Sequence, residues 1–258
     1  MENKVALITG ASGGIGEAFG HVLAADGHDL VLVARRDQEL HRVKGVITSK
    51  HPVSVHVIAL DLNEVGAVDA LVAEMAGRSL VPAIVINNAG FGLAGPSVEL
   101  PRDEQLQMVD LNVRVLTDLT LRFLPAMVAR KSGGVINVAS IAGFMPGPMM
   151  AVYFATKNYV LSFSDALSSE LKGTGVTMTT LCPGTVKTAF QARAGQNERG
   201  STLSAFDVAS QGWAGFKAKR RVVVPGFLNQ MIAYGLRLTP RRISLPFIKQ
   251  VMGRRRAT

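Results

Sequence analysis

Two residues four positions apart, Tyr153 and Lys157, have the types and spacing needed to move a proton. On a helix, residues four apart lie on the same face, so the phenol and the ammonium group would point into the same space. A lysine cation favours the phenolate, which predicts that the tyrosine pKa falls from about 10 towards neutrality. A phenol with such a pKa can act as a general acid or base. An ordinary surface pair on an amphipathic helix has the same spacing, so the neighbouring motifs decide between the two.

A glycine-rich turn near the N-terminus indicates where a nucleotide would bind. Residues 4–9 predict an apolar strand, and a helical pattern begins near Ile15. Between them, Gly10, Gly14 and Gly16 allow a tight turn, a close approach to a pyrophosphate and close packing of helix on strand. The N–H groups and positive dipole end of the helix would then face the phosphates. A merely flexible turn is the alternative, and the flanking strand and helix favour the nucleotide.

The next predicted strand, residues 29–34, ends in two arginines, Arg35 and Arg36. A site that prefers NAD usually has an acidic residue here, which bonds the ribose 2′-OH. Two guanidinium groups suit a 2′-phosphate instead, with Ser12 as a further donor, and this predicts NADP(H). The alternative is an exposed basic pair in which Asp37 pairs with one arginine.

Strands and helices alternate along most of the chain. Further strands are predicted at 53–60, 82–86, 134–138, 176–181 and 221–224, and helical segments at 38–49, 65–75, 101–130, from 151 and at 204–217. This alternation predicts an α/β fold with a Rossmann-like, doubly wound parallel sheet of about seven strands and helices on both faces. The ligand crevice is expected at the carboxyl ends of the strands.

Several candidate site residues follow these strands directly. Asp61 and Leu62 form a turn against which adenine could lie. An asparagine amide can tie adjacent loops together, while small residues leave room for a ribose; the sequence offers Asn88, Ala89 and Gly90. After the sixth strand, a long segment to about residue 201 predicts a lid or disorder, and it contains Pro183, Gly184, Thr185 and Thr188.

Composition limits the class of protein. The chain has 258 residues, of which 48% are hydrophobic and 18% charged, which excludes a disordered chain. The single cysteine, Cys182, permits no internal disulfide, and neither an export signal nor an apolar membrane span is evident. These features predict a cytoplasmic protein. The five histidines form no metal-ligand pattern or hydrolase triad, so no metal is expected.

The basic charge is concentrated at the C-terminal end. Eleven Lys or Arg residues and no acidic residue follow Asp207, although the net charge of the whole chain is +9. Apolar residues at 227–236 are spaced for one side of a helix. Three interpretations remain open: a solvated surface with helices around the substrate pocket, peripheral contact with an anionic membrane, or an acidic partner or nucleic acid. No nucleic-acid motif is present, so nucleic acid is not expected.

In this order and spacing, the motifs resemble the classical short-chain dehydrogenase/reductase family over residues 4–226. The resemblance rests on the segments 9–16 and 87–90, on Ser140, Tyr153 and Lys157, and on 183–184. It implies an enzyme that transfers a hydride between nicotinamide C4 and a carbonyl or alcohol carbon. Residues 1–226 would form the NADP-binding catalytic domain, and residues 227–258 an extension packed on or next to it.

The resemblance also implies roles for individual residues. Tyr153 would exchange a proton with the substrate oxygen, Ser140 would hydrogen-bond that oxygen, and Lys157 would bind the nicotinamide ribose. Asn112 stands where the family has its fourth active-site residue, and a distorted helix would let it hold a water that joins Lys157 to a proton path. Thr156 departs from the serine that is common before the lysine. A homodimer or homotetramer would pair through the long helices.

Other functions remain as alternatives. An extended-type epimerase or dehydratase shares the Tyr-x-x-x-Lys pattern, but it usually has a different glycine spacing and a longer chain. A catalytically silent NADP-binding sensor or a membrane-associated lipid-ketone reductase would have the same fold. A hydrophobic ketone or aldehyde is the expected substrate, because apolar residues are expected around the pocket: Phe91, Phe144, Met145, Met149, Met150 and Phe190.

Overall fold

The computed structural model describes residues 4–186, 188, 190 and 203–256. These residues form one parallel sheet of seven strands in the order β3-β2-β1-β4-β5-β6-β7. Numbered along the chain, the strands are β1 Val5–Thr9, β2 Asp29–Ala34, β3 Val55–Ala59, β4 Ile84–Asn87, β5 Gly134–Val138, β6 Thr177–Leu181 and β7 Val222–Val223. The prediction of a doubly wound α/β sheet is confirmed. The strand order reverses between β1 and β4, where such sheets open a ligand crevice.

Helices cover both faces of the sheet because successive strand residues point to opposite sides. On β1, Ile8 packs in the apolar cluster that contains Phe19 and Trp213, whereas Leu7 packs in the opposite cluster with Leu119. The helices are α1 Gly14–Ala25, α2 Asp37–Thr48, α3 Ala67–Gly77, α4 Arg102–Val109, α5 Leu116–Arg130, α6 Ala151–Glu170, α7 Ala205–Lys217, α8 Phe227–Leu238 and α9 Arg241–Arg256. A 3-10 helix, Ile141–Phe144, precedes α6.

The predicted helical stretch 101–130 is interrupted between α4 and α5. Asp110–Val115 forms a π-helix, and Asn112 within it is fully buried. A π-turn adds a residue to the helical repeat and often marks a functional position. Smaller differences occur at element ends, where the predicted strand 53–60 is observed only over Val55–Ala59. Hydrogen bonding between neighbouring strands sets these ends, and apolar pattern alone does not reveal it.

The two C-terminal helices lie against the carboxyl-end side of the sheet. Ala233 of α8 is buried in a cluster with Val224 and Cys182, and Tyr234 packs edge to face on Phe144. Ile248 of α9 is buried beside residues that flank Tyr153. Within the described residues, none of the helices has the length and apolar character required to span a membrane. The segment 191–202, which was expected to form a lid or to be disordered, lies outside the described residues.

Candidate active site

A cavity of about 890 Å³ opens at the carboxyl ends of the strands. Its wall includes residues that follow five successive strands: Gly10, Arg35, Leu60, Asn88 and Ala139. It also includes all but two of the catalytic and cofactor-binding residues that the sequence predicted. The exceptions are Gly16 and Asn112, which lie next to the cavity residues Gly10 and Gly90, respectively. The sheet therefore brings distant motifs of the chain to one cavity.

The glycine-rich turn leads into this cavity. It requires glycine at two positions because of the backbone conformation and at a third because there is no room for a side chain. Gly10 and Gly14 have φ angles of 67° and 57°, in the left-handed region that side chains disfavour. A Cβ at Gly16 would lie 2.3 Å from the carbonyl oxygen of Gly10. Among the described residues, the start of α1 has no side-chain cap. The turn residues Gly13, Gly14 and Ile15 line the cavity, so the uncapped first turn can accept an anion.

The two arginines after β2 differ in their contacts. Arg36 donates from Nη2 to the carbonyl oxygen of Ser12 at 2.8 Å and to its hydroxyl at 3.2 Å. Arg35 lies 3.4 Å from the carboxylate of Asp61. Asp37 pairs with His41 instead of an arginine, which removes the simplest alternative for the pair. Arg36 and Ser12 together place a guanidinium and a hydroxyl at one wall of the cavity.

Asn88 ties the glycine turn to the loop after β4. Its Nδ2 donates to the carbonyl oxygens of Thr9 and Gly10, at 3.0 and 3.2 Å. The hydroxyl of Thr9 accepts from the backbone N–H groups of Asn88 and Ala89, both at 3.0 Å. These bonds hold the two loops at a fixed separation on either side of the β1–β4 switch point.

Ser140, Tyr153 and Lys157 meet at the inner end of the cavity. Tyr153 and Lys157 lie one turn apart on α6, with the Lys157 Nζ 5.9 Å from the centre of the tyrosine ring. The Nζ donates to the carbonyl oxygen of Val138 at 2.9 Å. The Ser140 hydroxyl accepts from Ala142 N at 3.2 Å as the cap of the 3-10 helix, and it donates to the carbonyl oxygen of Pro183 at 3.4 Å. It lies in the same cavity wall as the Tyr153 phenol. A phenol, a hydroxyl and an ammonium group thus line one small space.

Burial reverses the expected pKa of the tyrosine. It raises the pKa of Tyr153 to about 12, and the influence of the nearby Ser140 hydroxyl, which lowers the pKa, opposes this only in part. Burial also lowers the pKa of Lys157 to about 8, because a low-dielectric site disfavours the charged ammonium group. The expectation that Lys157 brings the tyrosine pKa towards neutrality is therefore wrong for the protein chain itself. At neutral pH Tyr153 is a protonated phenol.

Asn112 supports the site from the π-helix. Its Oδ1 accepts from the N–H of Phe91 at 3.1 Å, and its Nδ2 donates to the carbonyl oxygen of Phe91 at 2.9 Å. The Nδ2 also donates to the Thr156 hydroxyl at 3.2 Å, and that hydroxyl donates to the carbonyl oxygen of Tyr153 at 2.7 Å. Asn112 therefore holds the loop after β4 and helix α6 together. The water that would join Asn112 to Lys157 stays a prediction.

The outer part of the cavity is apolar. Four of the six residues predicted for the substrate pocket line it: Phe91, Met145, Met150 and Phe190. The prediction was wrong for Phe144 and Met149; Phe144 packs on Tyr234 instead. Residues of α8, of α9 and of the turn between them complete the wall, and the sequence did not predict them individually: Met231, Ile232, Gly235, Thr239, Phe247, Ile248 and Val251. The apolar spacing at 227–236 was the only signal in the sequence that could have indicated them.

Comparisons with known proteins agree with this geometry. The model of the short chain dehydrogenase family matches residues 4–199. Sulfoacetaldehyde reductase of Chromohalobacter salexigens is 39% identical over 216 residues, which cover 80% of this chain and 85% of that protein.

Two solved structures are similar over most of the chain. A short-chain dehydrogenase from Sphingobium yanoikuyae in complex with NADPH has a TM-score of 0.82 and 28% identity, covering 98% of this chain and 97% of that one. A 3-ketoacyl-(acyl-carrier-protein) reductase from Brucella melitensis complexed with NADH has a TM-score of 0.76 and 28% identity, covering 86% and 96%.

Proposed function

Because the chain belongs to the short-chain dehydrogenase family, we propose that it transfers a hydride between NADP(H) and a hydrophobic ketone or aldehyde. The observation that carries this proposal is the meeting of Ser140, Tyr153 and Lys157 in the wall of one cavity whose outer part is apolar. The residues fit a nicotinamide dinucleotide, since the cavity runs from the uncapped start of α1 to Lys157. When bound, the nicotinamide supplies or accepts the hydride.

The choice of NADP(H) over NAD(H) is supported by the wall beside β2. Arg36 is hydrogen-bonded to Ser12, and both residues line the cavity where the adenosine ribose is expected. A guanidinium can form charge-assisted hydrogen bonds with a phosphate. The carboxylate of Asp61 is paired with Arg35, so it is poorly placed to accept from a ribose hydroxyl. Together these contacts favour a 2′-phosphate.

The remaining dinucleotide contacts come from loops at the strand ends. We assign the pyrophosphate to Gly14 and Ile15 at the start of α1, and the adenine to the turn at Asp61 and Leu62. Asn88, Ala89 and Gly90 form the wall towards the ribose on the nicotinamide side. The nicotinamide end would lie against the segment after β6, which contributes Pro183, Gly184, Thr185 and Thr188.

Tyr153 is the proton donor in the reductive direction. A phenol whose pKa is about 12 is fully protonated at neutral pH and can give its proton to a developing alkoxide. The Ser140 hydroxyl hydrogen-bonds the same oxygen and stabilises its negative charge. Lys157 binds the ribose hydroxyls, and its ammonium group offsets the charge left on the tyrosine oxygen.

A hydrophobic substrate fits the outer cavity better than an anionic one. Among the described cavity residues, the cationic side chains are Arg35, Arg36 and Lys157, and none belongs to the outer wall. A sulfonate such as that of sulfoacetaldehyde would need a cation or several donors there. Phe91, Met150 and Phe247 offer apolar surface instead, which suits an alkyl or aromatic ketone.

Pairing of subunits through the long helices belongs to the same proposal. Leu106, Val109, Leu121 and Tyr159 are exposed on or between α4, α5 and α6. Burial of these side chains against a second copy would remove apolar surface from water.

A panel of carbonyl compounds tests the proposed function. We expect reduction of hydrophobic ketones or aldehydes with NADPH, weaker reduction with NADH, and little with sulfoacetaldehyde. Tyr153→Phe should bind NADPH but turn over no member of the panel. Substantial activity of this variant would contradict the assigned proton donor, and a marked preference for NADH would contradict the role of Arg36.

A further inference from the structure

Helix α8 turns an apolar face towards the solvent. It buries Ala233 completely and leaves Phe227 77% and Leu228 63% exposed. Met231 and Tyr234 follow Phe227 by four and seven residues, so they share its side of the helix, and both are also exposed. A surface helix of a globular protein normally buries its apolar stripe. We call Phe227, Leu228, Met231 and Tyr234 the outer apolar face.

The outer apolar face continues into the rim of the cavity. Met231 of α8 and Phe247 of α9 are each 59% exposed, and both line the cavity. Ile232 also lines the cavity and is partly exposed. A molecule that covers this face would therefore lie directly over the cavity entrance.

Basic residues accompany this apolar surface. Residues 227–258 contain seven Lys or Arg and no Asp or Glu. Arg241, Arg242 and Lys249 of α9 are exposed. Arg242 and Lys249 are seven residues apart and so lie on one side of the helix. Large apolar side chains next to cations are the pattern of a helix that lies in the interface of an anionic bilayer.

Other occupants fit these residues less well. In a two-fold dimer the same patch faces itself, so each cationic segment would face its own copy and repel it. Nucleic acid would satisfy the cations but would gain little from Phe227 and Leu228, because phosphate contacts dominate such binding. An anionic bilayer satisfies both the apolar and the cationic residues.

We propose that the outer apolar face and the basic side of α9 dock on an anionic lipid bilayer, and that hydrophobic substrate enters the cavity from the lipid between Met231 and Phe247. The docking depends only on surface residues, whereas the entry route rests on the proposed carbonyl reductase function. Phe227 and Leu228 do not line the cavity within the described residues, so they can be changed without altering the site.

Co-sedimentation of the full-length protein with vesicles tests the docking. We expect sedimentation with vesicles of phosphatidylcholine and about one third phosphatidylglycerol, and little with phosphatidylcholine alone. Each cation near an anionic surface strengthens binding about fivefold, so Arg242→Gln with Lys249→Gln should weaken it roughly 25-fold. Phe227→Gln with Leu228→Gln should weaken it at least about tenfold, since two apolar side chains no longer enter the lipid.

Matched controls change the same residue types elsewhere. Phe206→Gln removes an exposed aromatic of α7, and Lys219→Gln with Arg220→Gln removes two exposed charges just before the amino end of β7, whereas α8 follows the carboxyl end of that strand. Both should sediment like the wild type. Absence of wild-type binding to anionic vesicles, or equal loss in the control and α8 variants, would overturn the proposal. A change of oligomeric mass in Phe227→Gln with Leu228→Gln, without vesicle binding by the wild type, would assign the face to a second copy instead.

The entry route is tested with one water-soluble ketone and one long-chain ketone held in vesicles. Phe227→Gln with Leu228→Gln should keep kcat/KM for the soluble ketone and lose about tenfold for the vesicle-held one. Equal kcat/KM values of wild type and variant on the vesicle-held ketone would overturn the entry route. Vesicle binding without turnover of either ketone would leave the docking intact and contradict the proposed function.

Discussion

Asn112 donates a hydrogen bond from its Nδ2 to the hydroxyl of Thr156, at 3.2 Å. The bond joins the π-helix before α5 to the helix that carries Tyr153, and both residues are buried. Thr156 in turn donates to the carbonyl oxygen of Tyr153 at 2.7 Å. The threonine hydroxyl therefore helps to hold α6 in place, a role that the departure of Thr156 from the family's common serine does not by itself reveal.

Thr156→Val should weaken this support. The substitution keeps the side-chain volume but leaves the buried Asn112 amide without its threonine partner, at a cost of about 1–3 kcal/mol in unfolding free energy. Urea denaturation should show this loss, and kcat should fall as the Tyr153 helix shifts. Thr156→Ser keeps the hydroxyl and should retain most of both properties. Equal effects of the two variants would refute the role of the hydroxyl.

Tyr153→Phe should separate proton transfer from cofactor binding. The variant lacks the phenolic proton but keeps the ring, which packs on Phe154 and Phe190. We expect kcat to fall by at least about a hundredfold, as for loss of a general acid. The NADPH dissociation constant, measured by fluorescence titration, should change little.

Lys157 should lower the stability of the protein at neutral pH. Burial depresses its pKa to about 8 in the folded chain, so the unfolded chain binds this proton more tightly. Burial of the ammonium group destabilises the folded state, and this cost disappears when the group is deprotonated. The unfolding free energy should therefore increase by roughly 2–3 kcal/mol as pH rises from about 8 towards 10. The unfolding free energy of Lys157→Met should lack this rise. Parallel pH profiles of wild type and variant would contradict the depressed pKa. The variant should also bind NADPH more weakly.

Arg36→Gln should reduce the preference for NADPH. Loss of a charge-assisted hydrogen bond costs about 1.5–3 kcal/mol, so the ratio of kcat/KM for NADPH to that for NADH should fall by roughly 10- to 150-fold. Arg42→Gln is the matched control, because Arg42 pairs with Glu17 and Glu39 and does not line the cavity. An unchanged ratio in Arg36→Gln would argue against a 2′-phosphate at this wall.

Gly16→Ala should disrupt the nucleotide turn. Its Cβ would lie 2.3 Å from Gly10 O and 2.6 Å from Asn88 Nδ2, so the backbone or the asparagine must move. We expect a loss of about 1–3 kcal/mol in stability, as for overpacking, together with weaker NADPH binding. At Gly45 in α2, a Cβ would meet no described atom within 4 Å. Gly45→Ala should stabilise the protein by about 0.5–1 kcal/mol. Thermal unfolding measures both changes.

Local patterns predicted most of the fold and the position of the cavity. The glycines at 10, 14 and 16, the strand ends at Arg35 and Asn88, and the Tyr153–Lys157 spacing all depend on short stretches of chain. The individual cavity residues of α8 and α9 were harder to predict from the sequence, because the apolar spacing at 227–236 fits a buried helix face as well as an exposed one. A surface helix usually buries its large apolar side chains, but in the structure α8 leaves Phe227 and Leu228 exposed.

The sequence by itself determined the alternation of strands and helices, the turn that only glycine can form, and the residue types that meet at the strand ends, since periodicity and backbone freedom are local properties. Only the tertiary structure decided the partner of Arg36, the link from Asn112 through Thr156, and the raised pKa of Tyr153. These depend on burial and on contacts between residues far apart in the chain, which change the electrostatic environment of a side chain without changing its sequence neighbours.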